Sequence, residues 1–263
     1  MIKEIITTVL WSVLSFVSSL FSVGSGSPVG VPQIKSPVAS PSAYVNPQKA
    51  SNPMEVEYSG VKYSVYYAVV KDVQGINLFP NFKERATSSE IVKNKNCSLL
   101  ANGGFYSKEG TPLGLFISQG WKTSNAYFSP LLNGYFTIYD GAALISSTQP
   151  TGDIKTAVQS GPVLMESGKL KILKIKNDKT ARRTTVSLTK DGEVVFAVFY
   201  DTQNNLQGPY LSDLPKYLND FKVASGLKIT DSINLDGGSA SAFYDGDFFL
   251  PEFNPIGSYF CIR

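Results

Sequence analysis

With 263 residues and a net charge of +3, the chain is long enough to bury a real core in one large or two small domains, and it carries no basic block that points to nucleic acid. It contains no histidine, which excludes Ser-His-Asp and Cys-His catalysis, histidine-ligated zinc and the usual neutral-pH general base. Charged residues make up 17% and aromatics 12%, a balance that suits a strand-rich protein with many turns.

The first segment, "MIKEIITTVLWSVLSFVSSLFSV", holds 19 residues without a charge from Ile5 to Val23. As a helix this stretch would span about 28 Å, close to the thickness of a bilayer core. Thr8, Ser12, Ser15, Ser19 and Ser22 recur at spacings of four and three, which puts them on one stripe of that helix. A small-residue seam of this kind suits packing against other helices, so residues 5–23 are expected to anchor the chain in a membrane or to drive self-association. A cleavable signal peptide is the competing reading, although Glu4 offsets Lys3 and no crisp small-x-small site precedes Gly24. Residues 24–53 carry Pro28, Pro32, Pro37, Pro41, Pro47 and Pro53 among serines and glycines, the composition of an extended, semi-rigid linker. A globular domain over 54–263 follows.

Within that domain "VKYSVYYAVV" and "INLF" read as strands, "SSEIVKNKN" as a short helix with a serine cap, and "CSLLANGG" as a strand ending in glycines. "GLFIS", "GYFTIYDGAALIS" and "TAVQSGPVLMESGKLKIL" are strands joined by Asp-Gly and Ser-Gly turns, and "RTTVSLTKDGEVVFAVFY" is a hairpin about "KDG". "LSDLPKYLNDFKVASG" is a helix with Leu211, Leu214, Leu218 and Phe221 on one face and a glycine stop. The pattern predicts an α+β fold, with largely antiparallel sheets and a few flanking helices. Cys97 and Cys261 cannot build a thiolate metal site; they are expected to be two buried small apolar residues, with pairing the alternative in an exported protein.

Four stretches join an apolar strand to a glycine-rich polar tip: "ANGGFY", "TPLGLFISQG", "AVQSGPVL" and "INLDGGSAS". Each alone reads as a turn. Together they suggest a shared site, because glycine lets a ligand approach the backbone and leaves amide donors open. "YDGDFF" sets Asp245 and Asp247 two apart, which an Asp-Gly hairpin explains better than a metal; no metal and no cofactor are expected.

In order, "NGGFY", "PLGLFI", "QSGPVL", "RRTTVSL" and "INLDGG" resemble the motifs of the phosphodiester glycosidase family over about residues 60–245. The resemblance implies a hydrolase that releases a sugar from a sugar-1-phosphodiester or related surface glycan, with a carbohydrate or sugar-phosphate as its partner. The N-terminal helix and linker lie outside it, and they favour an extracytoplasmic protein, membrane-anchored or virion-associated. One departure stands out: Ala240 occupies a place where many members carry a hydroxyl.

The implied chemistry needs no histidine. A phosphate ester is a weakly basic leaving group, so what remains is to aim water or a nucleophile at the anomeric carbon and to stabilise the departing anion. Asp236 is the expected base or nucleophile and Arg183 the phosphate contact, with Arg182 as alternate because adjacent strand residues face opposite ways. Asn102, Gly103, Ser160, Gly161, Asn234, Gly237, Gly238, Ser239 and Asp201 complete the expected substrate-binding set. The competing reading is a non-enzymatic glycan-binding or structural component that keeps the fold and assembles through its N-terminal helix.

Overall fold

The computed structural model describes residues 53–263 and the backbone of residues 48–49. The expected helix at 5–23 and nearly all of the proline-rich linker lie outside the described residues. Among the described residues no helix is long and apolar enough to cross a membrane.

The described residues form an α+β fold, with three sheets paired antiparallel throughout and two α-helices among them. The eight-stranded sheet runs in the order Gln48–Lys49, Val61–Val70, Val194–Tyr200, Arg183–Thr189, Ile229–Asn234, Val163–Glu166 and Lys169–Leu170, with Met54–Tyr58 also paired to Val61–Val70. One five-stranded sheet is built around Thr156–Ser160, between Phe116–Ser118 and Gly134–Ile138. The other is built around Leu99–Asn102, between Phe243–Tyr244 and Ser258–Ile262.

Alternation along the strands explains the layering. In Val194–Tyr200, Val194, Phe196 and Val198 face a core shared by all three sheets, together with Phe136, Phe260 and Ile233. Val195, Ala197 and Phe199 face the other way, onto the helix Leu214–Ser225 through Leu214, Leu218 and Phe221. A strand buried on both faces reads as the unbroken apolar run seen here. The helix stops at Gly226, whose φ of 70° is the left-handed conformation that glycine adopts freely.

The short helix Ser88–Lys95 is capped by Thr87 rather than by a serine: Thr87 accepts the Glu90 amide at 3.2 Å while the Glu90 carboxylate accepts the Thr87 amide at 2.8 Å. This is a reciprocal capping box, and Ser88 is its first helical residue. The helix packs on the outer face of the third sheet with Leu100 and Tyr259.

Cys97 and Cys261 form a disulfide across 164 residues, with Cα atoms 5.3 Å apart. They are buried, as expected, but they are paired. The sequence offers pairing only as the alternative; it is decided by the Ser258–Ile262 strand lying beside Leu99–Asn102, with Cys261 opposite Leu100. Replacing both cysteines by serine is expected to lower the unfolding free energy by about 2–5 kcal/mol in denaturant titration, because the bridge closes a long loop; an unchanged midpoint would show that the sheet alone holds the chain ends.

Candidate active site

Register brings the chemistry together. Thr185 pairs with Asn234, and Val163 pairs with Ile233. Arg183 at the start of one strand, Asp236 just beyond the end of the next and Gly161 just before the third therefore share one end of three neighbouring strands of the eight-stranded sheet. They open onto a cavity of about 380 Å3 whose polar floor includes Arg183, Asn234, Asp236 and Gly237. Its walls are apolar, with Phe105, Leu113, Leu131, Leu132 and Leu211. Gly161 is required by this closeness: its φ is 152°, and a side-chain carbon there would run into the Leu131 carbonyl.

Asp236 is held by its backbone. Its amide donates to the Gly103 carbonyl at 3.1 Å, and its carbonyl accepts Asn102 Nδ2 at 2.7 Å. The Gly237 amide donates to Oδ1 at 2.8 Å, and no second protein donor reaches the carboxylate among the described residues. Burial raises its pKa to about 7, with the Gly237 amide pulling weakly the other way. Tyr106 lies close enough that, after burial, the Asp236 charge also raises its pKa. The Tyr106 hydroxyl donates to the Pro255 carbonyl.

The two arginines divide as strand alternation demands. Arg183 runs beside Gly237, where a side-chain carbon would sit 3.7 Å from Cδ and 3.8 Å from Nη1. Its Nε donates to the Pro209 carbonyl at 3.1 Å and its Nη2 to the Lys179 carbonyl at 2.6 Å, with Asp178 at 3.6 Å from Nη2. Nη1 has no hydrogen-bond partner among the described residues. Burial lowers the Arg183 pKa, opposed by Asp178. Asp178 is itself partly buried, yet the Ser212 and Leu211 amides and Arg183 hold its carboxyl below the ordinary value.

Arg182 points the other way and is fully buried. Its Nε donates to the Gly238 carbonyl at 2.9 Å, its Nη2 to the Pro251 carbonyl at 2.7 Å, and its guanidinium lies over Phe253 at 4.8 Å. Burial pushes its pKa down to about 10, opposed by Glu252, so it remains charged at neutral pH. It braces the Asp236 loop from behind and does not line the cavity.

Other expected residues also stand behind the wall. Asn102 is buried; its Oδ1 accepts the Thr184 hydroxyl at 2.8 Å and the Ala242 amide at 3.1 Å. Ser160 is buried and donates to the Asn234 carbonyl at 2.8 Å. Ser239 accepts Asn254 Nδ2 at 2.7 Å, and Asp201 accepts the Gln203 amide at 2.8 Å in a loop away from the cavity. The glycine amides expected to be open donors are already used: Gly103 donates to Ser258, Gly161 to Asn234, Gly237 to Asp236 and Gly238 to Arg182. Asn234 does line the cavity. Its Nδ2 donates to the Gly161 and Leu235 carbonyls at 2.9 and 2.6 Å, while Oδ1 is buried without a partner. Asp245 closes the 245–248 turn by accepting the Asp247 and Phe248 amides at 3.0 and 2.8 Å. Among the described residues no three acidic or cysteine side chains cluster as metal ligands would.

The sequence profile of the phosphodiester glycosidase family matches residues 95–262. The chain belongs to this family. Among solved structures, it is similar to the zebrafish N-acetylglucosamine-1-phosphodiester alpha-N-acetylglucosaminidase catalytic domain auto-inhibited by pro-peptide, with a TM-score of 0.67, 18% identity and coverage of 84% of this chain and 85% of that one. A hypothetical protein from Synechocystis matches with a TM-score of 0.59 and 14% identity over 80% of this chain and 61% of that one. At these identities the likeness is one of fold. The uncharacterized protein YigE of Escherichia coli (strain K12) is 27% identical over 132 residues, 45% of this chain and 51% of that protein, so the match spans about half of that relative's length.

Seen on the phosphodiester glycosidase fold, the glycine-rich motifs split into two kinds. "INLDGG" and the second arginine of "RRTTVSL" reach the cavity with their side chains. "NGGFY" and "QSGPVL" mainly build its supports, with Gln159 accepting the Leu115 and Tyr127 amides at 3.0 and 2.9 Å and donating to the Leu132 carbonyl at 2.7 Å. The apolar walls carried no signal as a set. Phe105 was visible only inside "NGGFY", and Leu131 and Leu132 sit in a loop with no periodicity.

Asn102→Ala separates support from substrate contact. It strips partners from the Asp236 carbonyl, the Thr184 hydroxyl and the Ala242 amide, so unfolding free energy is expected to fall by about 2 kcal/mol or more. A normal unfolding curve paired with a raised KM would instead make Asn102 a substrate ligand.

Proposed function

We propose that the protein hydrolyses a sugar-1-phosphodiester, with Asp236 as base or nucleophile at the anomeric carbon and Arg183 as the contact for the departing phosphate. One observation carries this reading: the Asp236 carboxylate and Arg183 beside Gly237 share a single cavity with apolar walls, where Arg183 Nη1 has no other partner among the described residues. A cation and a base at one reacting centre are what phosphodiester glycoside cleavage requires. Low polarity around them strengthens both interactions. A carboxylate with a pKa of about 7 is a stronger base than an ordinary aspartate and is substantially ionised at neutral pH. Family membership supports the reaction class, and the named action of the zebrafish relative makes an N-acetylhexosamine the first sugar to try. The Cys97–Cys261 bridge supports an oxidising, extracytoplasmic setting.

Turnover on a panel of sugar-1-phosphodiesters tests the assignment. Asp236→Asn is expected to lose on the order of 10²–10⁴ in kcat. Arg183→Met is expected to lose about 10²–10³, with Arg183→Lys restoring only part because a planar fork is replaced by a point charge. Equal turnover by wild type and Asp236→Asn would remove Asp236 from the mechanism.

The pH dependence has a defined sign. As a base or nucleophile Asp236 must be ionised, so kcat/KM should rise with pH and level off above about 7. A profile that falls above that point would make Asp236 a general acid. Stability runs the other way. The folded protein binds this proton more tightly than the unfolded chain, so the contribution is complete below the ordinary aspartate range and is lost as pH rises through about 7. Asp236→Asn should therefore raise Tm at pH 8 relative to wild type, and raise it less at pH 5.

A further inference from the structure

A second cavity, of about 360 Å3, adjoins the Asp236 cavity, and Ser129 and Leu132 line both. Its lining contains no charged residue. Tyr127, Phe128 and Tyr135 supply aromatic faces, and Asn133, Gln149 and Ser147 are among its neutral polar groups. Phe128 is 93% exposed and Tyr127 59%, a large apolar surface to leave in water beside a polar cleft.

The lining is also prearranged. Gln159 accepts the Tyr127 amide at 2.9 Å and donates to the Tyr127 carbonyl at 2.6 Å, which fixes the backbone that carries the aromatic pair. Asn133 Oδ1 accepts the Val163 amide at 2.8 Å, so its orientation is set. Its Nδ2 and the whole Gln149 amide have no hydrogen-bond partner among the described residues.

We propose that this second cavity is a sugar-binding subsite that holds the unit next to the one cleaved, so the natural substrate is a glycan of two or more units rather than an isolated sugar phosphodiester. Aromatic faces match the apolar C–H faces of a pyranose, and neutral amides match its hydroxyls. A charged peptide, a nucleic acid or an anionic lipid would find no charge to pair with here. The shared wall at Ser129 and Leu132 lets one chain run from this subsite to Asp236. The inference rests on the glycosidase reading of the Asp236 cavity for what is cleaved, but not for what is bound.

The test is binding, on the full chain carrying Asp236→Asn. The probes are chitotetraose, cellotetraose and maltotetraose with their monosaccharides, followed by saturation-transfer NMR and calorimetry. At least one tetrasaccharide should bind, and adding Phe128→Ala or Gln149→Ala should weaken it about tenfold with monosaccharide binding unchanged. Both side chains are exposed, so neither change should disturb folding, which circular dichroism checks. Failure of all three tetrasaccharides to bind, or equal binding after both substitutions, overturns the subsite. Tetrasaccharide binding of this kind without turnover of any phosphodiester by wild type would leave the subsite standing and sink the hydrolase reading. Turnover that ignores chain length, with no tetrasaccharide binding, would do the reverse.

Discussion

One buried amide holds the junction on which the site depends. Asn102 ends a strand of the third sheet, yet its side chain reaches the Thr184 hydroxyl in the eight-stranded sheet, the Ala242 amide and the Asp236 carbonyl. Each of these groups would otherwise be a buried polar atom without a partner, and such atoms cost more than the bonds they fail to make. The network therefore fixes where the strand after Asn234 leaves its sheet, and so where Asp236 stands. The Gly103 carbonyl, one residue on, takes the Asp236 amide and completes the clamp. A site residue suspended this way is positioned by main-chain bonds, which leaves its side chain available for chemistry.

The electrostatics follow from that suspension. With the backbone held by Asn102 and Gly103, the Gly237 amide is the one donor among the described residues that stabilises the carboxylate, and burial dominates. The Gly103, Gly161 and Gly238 amides, which might have formed an anion-binding nest, are spent on main-chain carbonyls, and the Gly237 amide on Asp236 itself. Positive charge at the cavity therefore falls to Arg183. Two carbonyls and Asp178 hold that side chain, leaving Nη1 without a hydrogen-bond partner among the described residues. Arg182, on the opposite face of the same chain segment, spends its charge on the Gly238 and Pro251 carbonyls instead. Adjacent residues of one type thus take unrelated tasks, because a strand points them to opposite sides.

That split shows what could be read from sequence. Strand positions, the hairpin about Gly192 and the amphipathic helix followed from period and turn chemistry, which are local. The position of Asp236, between a buried strand and two glycines, was legible as a strand-end tip, and that tip lines the cavity. What did not follow was direction. Asn102 and Ser160 carry the same kinds of polar group as a ligand contact, and only the tertiary register decides that they face carbonyls of the protein rather than the cavity. Register likewise decides for the disulfide, which the sequence offers only as the alternative, and the apolar wall stays hidden because its residues come from loops far apart in the chain. The helix cap was misassigned by one residue because Thr87 and Ser88 are both good caps, and only Thr87 stands three residues before Glu90.

Ala240 tests how far a motif departure should be trusted. In the sequence it sits beside Asp236 and replaces a hydroxyl. In the fold it ends the short turn Gly238–Ala240, is buried, and does not line the cavity. The Ala240 amide donates to the Gly237 carbonyl through the backbone, which any residue provides. The missing hydroxyl thus removes no group from the floor where Asp236 and Arg183 stand. Proximity in sequence overstates its weight, since Arg183, 53 positions away, lies beside Gly237 while Ala240 faces the interior. The departure bears on how the turn packs, while the carboxylate and the guanidinium that share the cavity are brought together by neighbouring strand ends of the eight-stranded sheet.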